Sequence, residues 1–205
     1  MTRICLLFRL FPIVLFGAAL GSGSGLADDL QPPTTGRVLK YACTGNFGHE
    51  RQYVVRSVED GVVTYDLDID GRAGYAVKPL WLTGTSLYRE LQTARGKSWV
   101  ISGLDNFDGL RVLAVGSHYD GSIAEKASSG QAVWSSVTEK VVEERDYDSA
   151  ALGKIRVTVI EETWTTGAKK QVGVSFVTKQ QSAVVYWRHS TESGKNDDCT
   201  LVELH

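Results

Sequence analysis

The amino-acid sequence predicts an all-β fold: an antiparallel curved sheet, barrel-like or sandwich-like, with at most one short helix. Three observations carry this reading. Apolar residues recur with a period of two along most of the chain, which buries one face of each segment and wets the other. Turn-forming residues separate those segments at short intervals. Two cysteines, Cys43 and Cys199, stand near the two ends of the β-rich stretch and make an even pair there.

The strands follow in order. Leu39, Tyr41 and Cys43 alternate with polar or small neighbours. Arg51 to Val58 reads as a strand, and Glu59-Asp60-Gly61 turns it into the next one, since Asp-Gly between β-rich runs is a strong hairpin signal. The clearest alternation is Val63, Tyr65, Leu67 and Ile69 against Thr64, Asp66, Asp68 and Asp70. Ser86 to Leu91 reads as the start of a short helix, with Thr85 or Ser86 as cap, Leu87 and Leu91 on one face, and Gly96 as stop. Ser98 to Ser102 and Arg111 to Val115 read as strands around the Asp108-Gly109 loop. Val137 to Glu144 is long enough for a helix, but its β-branched residues favour a strand. Ile155 to Ile160 follows, then the turn at 167 to 170, then Val172 to Phe176, Val185 with Trp187, and Thr200 to Leu204. The two halves each open with a Gly-rich loop and hairpins, too loosely alike to define a repeat.

The first 27 residues read as a secretory signal peptide. Arg3 supplies the positive start, and an uninterrupted apolar run of about eleven residues extends from Leu10 to Leu20, too short for the ~20 residues a membrane-spanning helix needs. Gly25 and Ala27 place small side chains where signal peptidase requires them, so cleavage is expected after Ala27. No cysteine follows the apolar run, as lipid attachment would require, and there is no twin-arginine pair. Residues 28–36 then form a polar leader interrupted by Pro32 and Pro33, and 37–205 a single β-rich domain. The expected address is the periplasm or the exterior. Cleavage removes Cys5 and leaves Cys43 and Cys199, which in an oxidising compartment read as one disulfide. That bond lays the first and last strands side by side.

The net charge of −2 becomes about −4 without Arg3 and Arg9. This balance offers no electrostatic footprint for nucleic acid, and beyond residue 27 no apolar run is long enough to span a membrane.

No motif defines a chemistry. Asp66, Asp68 and Asp70 followed by Gly71 copy the opening of a calcium loop. The twelfth position is Val77 where a bidentate Glu belongs, and on a strand the three carboxylates face solvent in a row, which is the preferred reading. His49, His118, His189 and His205 show no metal-ligand spacing. Ser117, His118 and Asp120 crowd together but lack the form of a catalytic triad, and Gly116 to Gly121 reads as a turn. No catalytic residue, metal or cofactor is expected. The five tryptophans are read first as core. Trp81, after Pro79-Leu80, and Trp187 with Arg188 are the candidate ligand-binding residues. Arg188 and His189 fall on opposite faces of their strand, so one of them at most shares a cavity with Trp187.

The C-terminal half resembles a widespread kind of bacterial periplasmic β-rich protein of unknown function. The resemblance rests on Glu139-Lys140-Val141-Val142, on Tyr147-Asp148-Ser149-Ala150-Ala151-Leu152-Gly153-Lys154-Ile155, and on Tyr186-Trp187-Arg188, within residues 110–204. It implies an envelope β-domain and brings no catalytic residues. The expected function is non-enzymatic binding of a small apolar or glycan ligand, or of an envelope partner. An envelope hydrolase with dispersed catalytic residues and a structural module without a ligand remain the alternatives.

Overall fold

The structure is a computed structural model and describes residues 30–45, 50–80, 85, 87–92, 98–104, 110, 113–128, 130–194 and 196–205. Among these, twelve antiparallel strands form one closed barrel: β1 (Val38–Gly45), β2 (Glu50–Glu59), β3 (Val62–Ile69), β4 (Arg72–Pro79), β5 (Glu90–Gln92), β6 (Ser98–Ser102), β7 (His118–Ala127), β8 (Ala132–Ser149), β9 (Gly153–Thr166), β10 (Lys169–Thr178), β11 (Ala183–Thr191) and β12 (Asn196–Leu204). Each strand pairs with its neighbours in sequence, and β1 closes the circle on β12. Closure removes the unpaired edges that an open sheet leaves.

The hairpins follow from local chemistry. Asp60-Gly61 joins β2 to β3, and Asp70-Gly71 joins β3 to β4; all four residues have positive φ (49°, 72°, 51° and 76°). A two-residue turn matched to the strand twist demands this, and Asp and Gly tolerate it best. Bulges between Lys40 and Tyr41, Val55 and Ser57, Val141 and Glu143, and Phe176 and Val177 interrupt the ladders. Each extra residue sharpens twist and bend, as closure requires.

Closure lays Cys43 directly opposite Cys199, and the two form a disulfide across a sequence separation of 156. The same seam is continued at its far end, where Val38 and His205 exchange backbone hydrogen bonds of 3.1 Å in both directions. The end where β1 begins and β12 finishes is filled from within. Leu30 of the leader, Leu87, Leu104, Leu110 and Leu113 pack against Ile101, Ile123, Val137, Val141, Ile160 and Val177. Leu87, Leu110 and Ile123 have no exposed surface, and burial of each contributes roughly 1.5–3 kcal/mol. The Ser182 hydroxyl donates to the Gln31 carbonyl and fastens the leader to the β10–β11 turn.

Three expectations need correction. The segment read as a helix from Ser86 to Leu91 is not helical where it is described: Leu87 and Tyr88 are irregular and Glu90–Gln92 is β5. The Thr85 hydroxyl does accept from the Leu87 amide (3.1 Å), but Leu87 is drawn into the plug and β5 must bridge β4 and β6. The strand expected over Arg111 to Val115 is absent from its described part, where Leu113 anchors the plug and residues 115–116 turn. The turn expected from Gly116 to Gly121 ends at Gly116, and His118 already belongs to β7. Residues 108–109 lie outside the described residues.

Because the disulfide clips the first strand to the last, it constrains nearly the whole unfolded chain. Replacing both Cys43 and Cys199 by Ser is expected to lower stability by about 2–5 kcal/mol. Urea unfolding of the double variant and of the wild type, with and without reductant, checks this; the reductant effect should vanish in the variant.

Candidate functional site

The barrel interior is not filled throughout. Beside the plug lies a cavity of about 200 Å³, and towards the opposite end, where β7 turns into β8 and β9 into β10, a second of about 450 Å³. Tyr88 and His189 line both.

One wall of the first cavity is aromatic. Inward phases of β3, β2, β1 and β11 place Tyr65, Tyr53, Tyr41 and Trp187 in a row. Successive ring centroids are 5.9, 5.7 and 4.5 Å apart, each pair edge-to-face, the arrangement that aromatic quadrupoles favour. The Tyr41 hydroxyl donates to the Val184 carbonyl at 2.9 Å. Burial first, then the neighbouring tyrosines, holds the phenols of Tyr41 and Tyr65 well above their usual range. Arg51 sits over the Trp187 ring at 5.6 Å and pairs with Asp197 at 2.5 Å, both side chains largely buried.

Between the cavities the apolar phase of three strands is broken by charge. Lys78 follows Ala76 on β4; Glu139 stands between Val137 and Val141 on β8; Glu162 stands between Ile160 and Trp164 on β9. His189 approaches Glu162 at 3.5 Å. Its ring lies over Gly173, where a Cβ would come within 2.7 Å of Cδ2, so glycine makes room for it. Lys78 lines the first cavity, and its Nζ donates to the Thr85 carbonyl at 2.7 Å. Burial pushes its amine down to about 8, against the pull of Glu162 and Glu139. Lys78 keeps some exposed surface, and that surface faces the cavity. Glu139 is fully buried, lines neither cavity, and neither of its oxygens receives a hydrogen bond. Burial, then the charge of Glu162 and a hydrogen bond to it, raises its pKa well above the carboxylate range. Burial beside a second carboxyl thus favours the neutral form of Glu139 over the charged one. Trp164 lines the second cavity with a buried Nε1 that has no acceptor among the described residues.

The residues singled out by sequence are placed as follows. Trp187 lines the first cavity; its neighbour Arg188 is exposed on the opposite face, while His189 shares the interior with Trp187. Trp81 and His49 lie outside the described residues. Asp66 pairs with Arg56, Asp68 accepts from the Gly71 amide at 2.7 Å, and Asp70 accepts from the Glu50 amide at 2.9 Å. These carboxylates serve the β3–β4 hairpin and the strand beside it. Among the described residues the one cluster with metal-ligand geometry is Cys43, Asp197 and Cys199, whose sulfurs are already bonded to each other. His118 contacts Asp120 at 3.1 Å on the exposed face of β7. His205 pairs with Glu203. Lys78, Glu139 and Glu162 were not singled out, although a charge in phase with buried apolar neighbours was there to be read.

The fold and its interior define a closed antiparallel barrel with a lined cavity. Among solved structures, the hypothetical lipoprotein YmcC from Escherichia coli K12 superposes on 88% of this chain and 90% of its own, with a TM-score of 0.56 at 13% identity. That likeness shows the fold. No protein-family model and no curated protein matches the sequence.

Glu139 generates a pH prediction. The folded state holds its proton to higher pH than the unfolded chain, so stability contributed by that proton is full below the ordinary Glu value near 4.5 and is lost as pH rises from there towards the folded value. The stability of Glu139→Gln relative to wild type should therefore grow with pH above about 4.5, by about 1.4 kcal/mol for each unit of pKa elevation. Melting curves of both proteins from pH 4 to pH 8 measure the divergence, and parallel curves would refute it.

Proposed function

We propose that this protein is an exported, envelope-located barrel that binds a small ligand in its interior. The observation that carries the reading is the first cavity: a closed barrel keeps an unfilled space walled by Tyr41, Tyr53, Tyr65 and Trp187 and edged by Arg51, Lys78 and His189. A structural barrel gains nothing from such a space, since each unfilled volume forfeits packing. An apolar wall with a few convergent polar groups is the form small-molecule sites take. The envelope address rests on the signal peptide read from residues 1–27, on the disulfide, and on the barrel likeness to a protein described as a lipoprotein. Unlike a lipoprotein, this chain has no cysteine directly after its apolar run.

The hydrolase reading gains no support from the paired carboxyls. Glu139 lines neither cavity, so the two do not flank a space a substrate enters.

A neutral fluorescent probe, N-phenyl-1-naphthylamine, tests the reading. Wild-type protein should take it up saturably at one site. Trp187→Ala should weaken uptake about tenfold, the loss of roughly 1.4 kcal/mol expected for one aromatic contact. Absence of saturable uptake by the wild type would sink the proposal.

A further inference from the structure

We propose that the first cavity is built for an amphipathic monoanion, a carboxylic acid with an apolar body, whose carboxylate seats on Lys78. This deepens the binding reading above and rests on it. Three features of the site select that class of ligand.

The first is the unfilled hydrogen-bonding capacity of the amine. An ammonium carries three donors. Lys78 Nζ uses one on the Thr85 carbonyl and, among the described residues, forms no ion pair. It faces the cavity, so its remaining donors lack an acceptor on the side where a ligand would lie.

The second is the charge balance of the lining. Arg51, the other strong cation of the first cavity, is matched by Asp197 at 2.5 Å. Glu139 lies outside the cavity lining, and burial raises its pKa well above the carboxylate range. Glu162 lines the second cavity and approaches His189. Their fields reach Lys78, but neither touches it. One cation without a contact partner suits a ligand with a single negative charge; a dianion would leave the second charge buried without compensation, and a cationic ligand would meet Lys78 as a like charge.

The third is the wall. Tyr41, Tyr53, Tyr65 and Trp187 bury an apolar body alongside the amine, so one ligand can satisfy both surfaces together. In this low-dielectric setting a charge-assisted hydrogen bond to carboxylate counts for more than it would in water.

The test compares 2-naphthoate with 2-naphthalenemethanol, equal in ring but one anionic and the other neutral, by isothermal titration at pH 7 and pH 9.5. Wild-type protein is expected to prefer the acid by about tenfold or more, the worth of one hydrogen bond to a charged group. Lys78→Met should bind both alike, having lost the acid's advantage and kept the alcohol. At pH 9.5 the wild-type preference should shrink, because Lys78 gives up its proton near 8. The other titratable or charged groups around Lys78 and its cavity are Glu139, Glu162, His189, Arg51, Asp197 and the tyrosines. Ionisation of Glu139 would act in the same direction, and Lys78→Met, which keeps Glu139, separates the two. If that variant does not fold, Lys78→Gln, which also keeps Glu139, takes its place and should likewise lose the preference for the acid. Equal affinity of the wild type for acid and alcohol at pH 7 overturns the carboxylate proposal and leaves interior binding intact. Binding of neither overturns the cavity reading itself, and the proposal with it.

Discussion

Everything in the interior depends on the pairing of β1 with β12. Without it the sheet has two free edges and no inside, and the row of Tyr65, Tyr53, Tyr41 and Trp187 would be broken, since Tyr41 and Trp187 reach each other only across the seam. The pairing is non-local, joining residues more than 150 positions apart, so the loop-closure entropy is paid before the contacts form. The disulfide sits inside that seam, where it reduces the same entropy in the unfolded chain. Aromatic wall, ion pair and cavity are all downstream of one strand contact.

The seam also explains why charge is tolerated within. Arg51 and Asp197 lie on strands brought together only by closure, and their contact is short enough to offset part of the cost of burying both. Glu139 and Glu162 occupy neighbouring strands in direct register, so like charges face each other across a ladder rung. The acid pair is relieved by keeping a proton, and Lys78 supplies a nearby positive field. Such an arrangement costs stability compared with apolar residues of the same volume, which is consistent with a role other than packing.

The fold was legible where local rules act alone. Alternation identified β1, β3, β9 and β11, and Asp60-Gly61 identified the hairpin of β2 with β3. At Asp70-Gly71 the same dipeptide was weighed only as the opening of a cation loop or the end of a solvent-facing strand, although its turn chemistry is identical. β4, β5 and β7 were not recognised. In β4 the residues at alternate positions include Lys78, and in β5 a helix-like spacing of Leu87 and Leu91 arose from one residue in the plug and one in a strand. The site was less legible, for a physical reason. Its charges come from β2, β4, β8, β9, β11 and β12, and only closure brings Arg51 to Asp197, 146 residues away. Trp187 was read as a candidate on composition; its companions could not be. The phrases at Tyr147 and at Tyr186 that carried the family resemblance do meet in space, with ring centroids 6.5 Å apart around Phe176, on the face away from the cavity.

The mutual hydrogen bonds between Val38 and His205 place both ends of the barrel strands at the plugged end. The larger cavity lies at the other. The first and last strands therefore meet on the plugged rim, the side on which the cavity of Tyr41 and Trp187 lies. A connection made at Val38 or at His205 leaves from that rim and not from the rim of the larger cavity.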